Sequence, residues 1–209
     1  MSIHQELDLA HMQAAFAAPV RDAQTCFRAL LEGLARPGRI QRLADIPVPP
    51  AGLGAAQSAI LLALADRDTP VWLPPVVRSA AAGAYLRFYC GCPLATRLAD
   101  ATFVVVSTLA GLPALYDLSL GDPEFPDRSA TLLVEVASFD SGASLRLRGP
   151  GIADEAELRV ADWSESATAL VQENRRRVPL GVDIVLTCGD RLVGLPRTVH
   201  LTAEGMACM

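Results

Sequence analysis

Lysine is missing from this chain, and all 18 of its basic residues are arginine. That absence removes the Schiff-base chemistry by which an enzyme amine holds a carbonyl substrate or pyridoxal phosphate. It also removes the Walker-type lysine that reaches nucleotide phosphates. Any recognition of anions must use arginine forks, backbone amides or helix ends. Histidine is scarce, with His4, His11 and His200 the only three, and no G-x-S-x-G elbow occurs, so triad hydrolase chemistry is disfavoured. The longest apolar region, 101–116, is broken by Gly111 and Pro113 and is too short to span a bilayer. Glu6 and Asp8 precede any apolar stretch, unlike a secretory signal. The five cysteines, Cys26, Cys90, Cys92, Cys188 and Cys208, are odd in number and scattered, as suits a reducing cytoplasm. Cys90 and Cys92 flank one glycine, but they lack a second pair or a nearby histidine. They read as small buried thiols and not as a zinc site. The expectation is a cytoplasmic protein without metal, cofactor or membrane anchor.

A net charge of −5 argues against broad attraction to nucleic acid, which depends on neutralising many phosphates at once, but leaves room for a local basic pocket. Half of the 209 residues are hydrophobic and a fifth are charged, the balance of a folded chain and not of a disordered one. A chain of this length buries roughly 70% of its unfolded surface. One domain over 1–209 is expected, with looser order at 1–15 and 203–209.

Helical spacing of Cys26, Phe27, Leu30, Leu31 and Leu34 predicts a helix over 22–35, capped by Asp22 and stopped by Pro37 and Gly38. A buried helix follows over 55–65, and further helices are expected over 80–89 and 165–175. Short β-branched runs at 71–73, 103–106, 132–136 and 182–186 read as central strands. Interleaved strands and helices predict an α/β protein, a three-layer sandwich with helices on both faces of the sheet. Gly189-Asp190 predicts a tight hairpin, which makes that sheet mixed. In LRLRGPGI, 145–152, the alternation places Arg146 and Arg148 on a solvated strand face and Leu145 and Leu147 on the packed one. Gly149 and Gly151 read as a turn. Asp66, Asp68, Glu124 and Asp127 lie at the ends of apolar elements, where acid–base groups often sit. Asp66 is also simply explained as a helix-terminating polar group, Glu124 as loop charge, and Arg175 to Arg177 as cations at the negative end of a helix dipole.

Several segments together carry a more specific signal. FRALLEGLARPGRI (27–40), LADRDTPVWL (64–73), LRFYCGCPL (86–94), ATFVVV (101–106), GDPEFPDRSATLLVEV (121–136), LRLRGPGI and VPLGVDIVLTCGDRLVGLPRT (178–198) resemble, in order, the PhnH family of the bacterial carbon–phosphorus lyase system. The chain departs from the family pattern at Tyr89 and Cys90, where histidine and threonine are usual, and at Val178, where phenylalanine is usual. The resemblance implies a shape related to pyridoxal-phosphate transferases without that cofactor, and pairing as a homodimer in isolation. It also implies a core complex with PhnG, PhnI and PhnJ subunits, aided by PhnL, that displaces adenine from ATP with an alkylphosphonate. PhnI would carry the main catalytic groups. The motif residues Arg36, Asp66, Thr69, Arg87, Glu124, Arg128, Arg197 and Thr198 are then candidates for contact with substrate or partner, none with an assigned catalytic role. The alternative is a free-standing binder in which Arg36, Arg87, Arg128 or Arg197 clamps a phosphonate or triphosphate.

Overall fold

The computed structural model describes residues 13–78 and 80–204. The expectations for the extreme termini, with His4, His11 and Cys208, fall outside those residues. In chain order the elements are α1 (Pro19–Ala35), β1 (Gln41–Arg42), α2 (Ala55–Leu64), β2 (Val71–Trp72), α3 (Ala80–Tyr89), β3 (Phe103–Val106), β4 (Thr131–Glu135), β5 (Ala143–Arg148), β6 (Ala156–Val160), α4 (Glu165–Arg176), β7 (Asp183–Cys188), β8 (Arg191–Leu195) and β9 (His200–Glu204).

Helix α1 starts three residues before the expected Asp22. Pro19 is the reason, since a proline at the first helical position loses no hydrogen bond and already has a helical φ. Asp22 lies inside the first turn and not at the cap. Its Oδ2 accepts the Ala18 N–H at 2.8 Å, and this bond is the chief cause that holds its carboxyl below the usual range. Ser164 caps α4 as an N-cap should, accepting the Ala167 N–H at 3.2 Å.

Six strands form a mixed sheet in the order β1-β8-β7-β4-β3-β2, parallel from β2 through β7 and antiparallel at β7–β8 and β8–β1. The Gly189-Asp190 turn joins β7 to β8 as expected. Alternate residues of the strands face opposite sides, and both sides are buried. Val105, Leu133, Val185 and Leu192 pack with α1, α2 and α3, whereas Val104, Val106, Leu132, Val134, Ile184, Leu186, Val193 and Leu195 pack the other way.

The second face corrects the expectation of helices on both sides. It is covered mainly by a three-stranded antiparallel sheet, β6-β5-β9, with α4, among the described residues, the only long helix there. The cause is the alternation in these strands. Leu145, Leu147, Leu158, Val160 and Leu201 are buried, while Arg146, Arg148, Glu157 and Arg159 point to solvent. Arg148 and Arg146 lie over Glu155 at 2.9 and 3.1 Å, the solvated face anticipated for LRLRGPGI.

Helix α1 meets the sheet at a glycine pair. Gly194 of β8 carries no side chain where Gly33 passes over it, and a Cβ there would lie 2.6 Å from the Gly33 carbonyl oxygen.

Candidate functional site

Three polar clusters sit at the ends of the strands. The first lies at the amino ends of β4 and β7 and is centred on Arg197, in the turn after β8. Its guanidinium donates to both Asp183 oxygens, with Nη2 to Oδ2 at 2.8 Å, and to Ser129 Oγ at 2.7 Å. It also donates to the carbonyls of Pro126 and Pro179 at 2.8 and 3.2 Å. The Arg197 side chain is only 14% exposed and Ser129 is buried, so the planar fork is used up inside the protein. The same edge carries Thr198, half-buried in the turn, and the loop with Glu124 and Arg128. Both of these are exposed. Asp122 Oδ1 accepts the Glu124 N–H at 2.9 Å, and the Arg128 guanidinium lies 3.8 Å above the Phe125 ring. Arg197 therefore fixes the backbone from which Glu124 and Arg128 project.

The second cluster gathers Asp66, Thr69 and Arg87 around Cys92, before β2 and at the end of α3. Asp66 accepts from Thr69 Oγ1 at 2.6 Å and from the Asp68 N–H at 2.9 Å, and these bonds hold its carboxyl below the usual range. Cys90 Sγ donates to the Leu61 carbonyl at 3.6 Å and Cys92 Sγ to the Leu86 carbonyl at 3.9 Å, and the influence of each thiol on the other shifts Cys92 down, with Arg87 assisting, and Cys90 up. Arg36 joins neither cluster. Its Nε pairs with Glu32 at 3.0 Å across one turn of α1. The four arginines offered as alternative anion clamps are thus distributed over three places, with Arg197 already committed internally.

The third cluster is at the carboxyl ends of the parallel strands, the edge at which open α/β sheets commonly place their ligands. Glu135, the last residue of β4, accepts from Thr187 Oγ1 and from the Gly189 N–H, and it lies against the N-terminus of α2. A Cβ at Gly54, the α2 N-cap, would be 2.3 Å from its Oε2. Burial raises the Glu135 pKa against the opposing effect of the two hydrogen bonds. Beside it, the buried Gln57 carboxamide donates to the carbonyls of Val106 and Leu133 at 3.1 and 2.9 Å and accepts the Gly54 N–H at 3.0 Å. It joins α2 to the ends of β3 and β4. Glu135 and Gln57 are the groups that reading the sequence missed. Glu135 carried the same signal as Asp66, a carboxylate closing an apolar run, inside the segment 121–136 that was already singled out.

Glu135 makes a pH-dependent prediction. A carboxyl whose folded pKa is raised favours its protonated form in the folded state, so its ionisation costs stability as pH rises from the unfolded value through the folded one. Glu135→Gln removes that cost and keeps an acceptor. The variant should melt about 2 °C above the parent at neutral pH, the two converging below the ordinary carboxylate range, as followed by thermal unfolding across pH. A variant that is less stable at neutral pH would mean that the ionised carboxylate is the favoured form.

Fold and sites together define an α/β protein whose polar clusters mostly tie strand ends and loops to one another. The chain belongs to the PhnH family: residues 14–202 match the family described as bacterial phosphonate metabolism protein (PhnH). It is 39% identical over 190 residues to the alpha-D-ribose 1-methylphosphonate 5-triphosphate synthase subunit PhnH of Rhizobium meliloti, covering 91% of this chain and 95% of that protein. It is 33% identical over 186 residues to HtxG of Stutzerimonas stutzeri, provisionally assigned as a C-P lyase subunit, covering 87% of each chain. Among the described residues, no helix is long and apolar enough to cross a membrane.

Proposed function

We propose that this chain is a subunit of a carbon–phosphorus lyase assembly that makes alpha-D-ribose 1-methylphosphonate 5-triphosphate from ATP and methylphosphonate in organic phosphonate breakdown. The observation that carries the reading is the nearly end-to-end similarity to the Rhizobium synthase subunit. The reaction is a substitution at the anomeric carbon. A phosphonate oxygen forms the new bond to C1′ while the bond from C1′ to adenine N9 breaks, and adenine leaves with that electron pair and takes up a proton. Subunits of the PhnG, PhnI and PhnJ types are the expected partners, with PhnL acting in the same reaction and PhnI carrying the main catalytic groups. This chain supports the synthesis and is not proposed as the catalyst.

The inward commitment of Arg197 favours this division of labour, because a guanidinium held by Asp183, Ser129 and two carbonyls positions a loop and has no fork left for substrate. Glu124, Arg128 and Thr198 on that edge, with Asp66, Thr69, Arg87 and Arg36 elsewhere, are the groups offered to a partner or to substrate held by one. Val20, Phe27 and Leu31 also leave apolar side chains of α1 exposed, which suits a chain that works in contact with others and pairs with itself in isolation. If the outline is that of a pyridoxal-phosphate transferase, as the family resemblance implies, a chain without lysine has no side-chain amine to hold the cofactor. Use of ATP places the assembly in the cytoplasm.

The test is adenine release from ATP plus methylphosphonate by reconstituted subunits, with and without this chain, alongside light scattering of the assembled complex. Phosphonate-dependent release is expected to require the chain and the chain to co-elute with PhnG and PhnI. Unchanged turnover in its absence would sink the proposal.

A further inference from the structure

On the outer layer, the last turns of α4 and the start of β9 enclose a concave pocket of about 260 Å³. Gln172, Arg175, Arg176, Val199, His200 and Leu201 line it, and Val199 and Leu201 are buried beneath it. Arg176 pairs with Glu173 at 3.1 Å, and that carboxylate is also held by Arg177 and Tyr116, so its charge is well compensated. Arg175 has no side-chain ion pair or hydrogen bond among the described residues. Gln172 spends one donor on the Leu201 carbonyl at 3.3 Å. Cations at the end of α4 suit its dipole, and that would account for arginines anywhere around the last turn. It does not account for two of them lining one concavity together with Gln172 and His200, so that both elements contribute. The pocket is rich in donors, carries excess positive charge, and sits on a chain whose net charge is −5.

Its volume lies below the range of roughly 300–1,000 Å³ that holds a whole drug-sized ligand. A single tetrahedral oxyanion group suits that size, and paired guanidiniums bind phosphate-type oxygens through charge-assisted hydrogen bonds. We propose that Arg175, Arg176 and His200 form a binding site for one phosphate or phosphonate group. The group arrives either as a free small anion or as the terminal phosphate of a nucleotide.

The inference is independent of the assembly proposal, because binding is measured on this chain alone. Isothermal titration at low salt would use methylphosphonate, inorganic phosphate and ATP in separate arms. Saturable one-to-one binding is expected in at least one arm. Tighter binding of ATP assigns the site to a nucleotide's phosphate tail, and equal or tighter binding of the small anions assigns it to free phosphonate or phosphate. Arg175→Gln alone, and Arg175→Gln with Arg176→Gln, should each weaken binding, the pair by roughly tenfold or more, the loss expected from removing charge-assisted hydrogen bonds. Arg97→Gln, an exposed arginine facing Asp100 elsewhere on the surface, should leave binding unchanged. Thermal midpoints without ligand should stay close to the parent, since both pocket arginines are exposed. Absence of saturation in every arm, or equal weakening by Arg97→Gln, overturns the proposal.

Discussion

Arg197→Ala should destabilise the protein by about 3 kcal/mol, the low end for breaking a buried ion pair, because Asp183 retains some exposure. The substitution strands several groups at once. Asp183 loses its bidentate partner, buried Ser129 Oγ loses its donor, and the carbonyls of Pro126 and Pro179 lose theirs. For a chain of this size such a loss lowers the melting temperature by roughly 6–12 °C. Arg197→Lys should recover little, since a compact ammonium cannot span two carboxylate oxygens, a hydroxyl and two carbonyls together. Urea unfolding checks both variants. A cost under about 1 kcal/mol, with the denaturant slope unchanged, would mean that these contacts behave as ordinary surface pairs. The substitution also separates two roles. If Arg197 only positions the loop, an assembly containing the variant should lose occupancy of this subunit while each bound copy still supports turnover.

A comparable or larger effect is expected from one methyl group at Gly194. The added Cβ would meet the Gly33 carbonyl oxygen at 2.6 Å, and the Gly33 carbonyl carbon and Leu34 nitrogen at 2.7 Å. All three atoms are backbone, so no side-chain rotation relieves the clash. Helix α1 must lift from β8, and Leu30 and Cys26 are drawn from the core with it. Overpacking of this kind costs about 3 kcal/mol or more. The contrast is Gly189→Ala, where nothing lies within 4 Å and only the positive φ of 59° resists the substitution. That change should cost about 1 kcal/mol. Near-ultraviolet circular dichroism and thermal unfolding of the two variants would show whether close approach or backbone conformation governs the α1–sheet junction. Equal effects would argue against the clash.

The parallel centre of the fold was readable from the chain because its strands are buried on both faces and leave unbroken apolar runs such as Phe103 to Val106. The long helices were readable from their spacing. The short strand β1 was not, since its two residues, Gln41 and Arg42, owe their pairing to β8 and carry no pattern of their own. Nor was the identity of the outer layer. Strands β5, β6 and β9 are amphipathic and of modest length, and their partnership is set by contacts far apart in sequence, Leu147 opposite Leu201 for instance. At the sites, residue type pointed to arginine as the candidate for anion recognition but could not separate one that is internally committed, Arg197, from one without a side-chain partner among the described residues, Arg175. That distinction depends on which carbonyls and carboxylates the fold brings alongside, and these come from residues 126, 129, 179 and 183 in the case of Arg197. Glu135 was hidden for a similar reason. Its neighbours Gly54, Thr187 and Gly189 approach only once α2 docks over the strand ends.

The position of β9 against β5 bears on how the protein is made. During synthesis the central strands β2, β3 and β4 leave the ribosome well before β9, and domains tend to fold in that N-to-C direction. On one side the first three helices are made early and can cover β2, β3 and β4 as these strands appear. The other, with Val104, Val106, Ile184 and Leu186, gains its full cover only when the last strand pairs with β5. From the emergence of β3 to that of β9, about half of its length, the nascent chain therefore carries an open apolar surface on this side of the sheet, the side that most needs chaperone shielding.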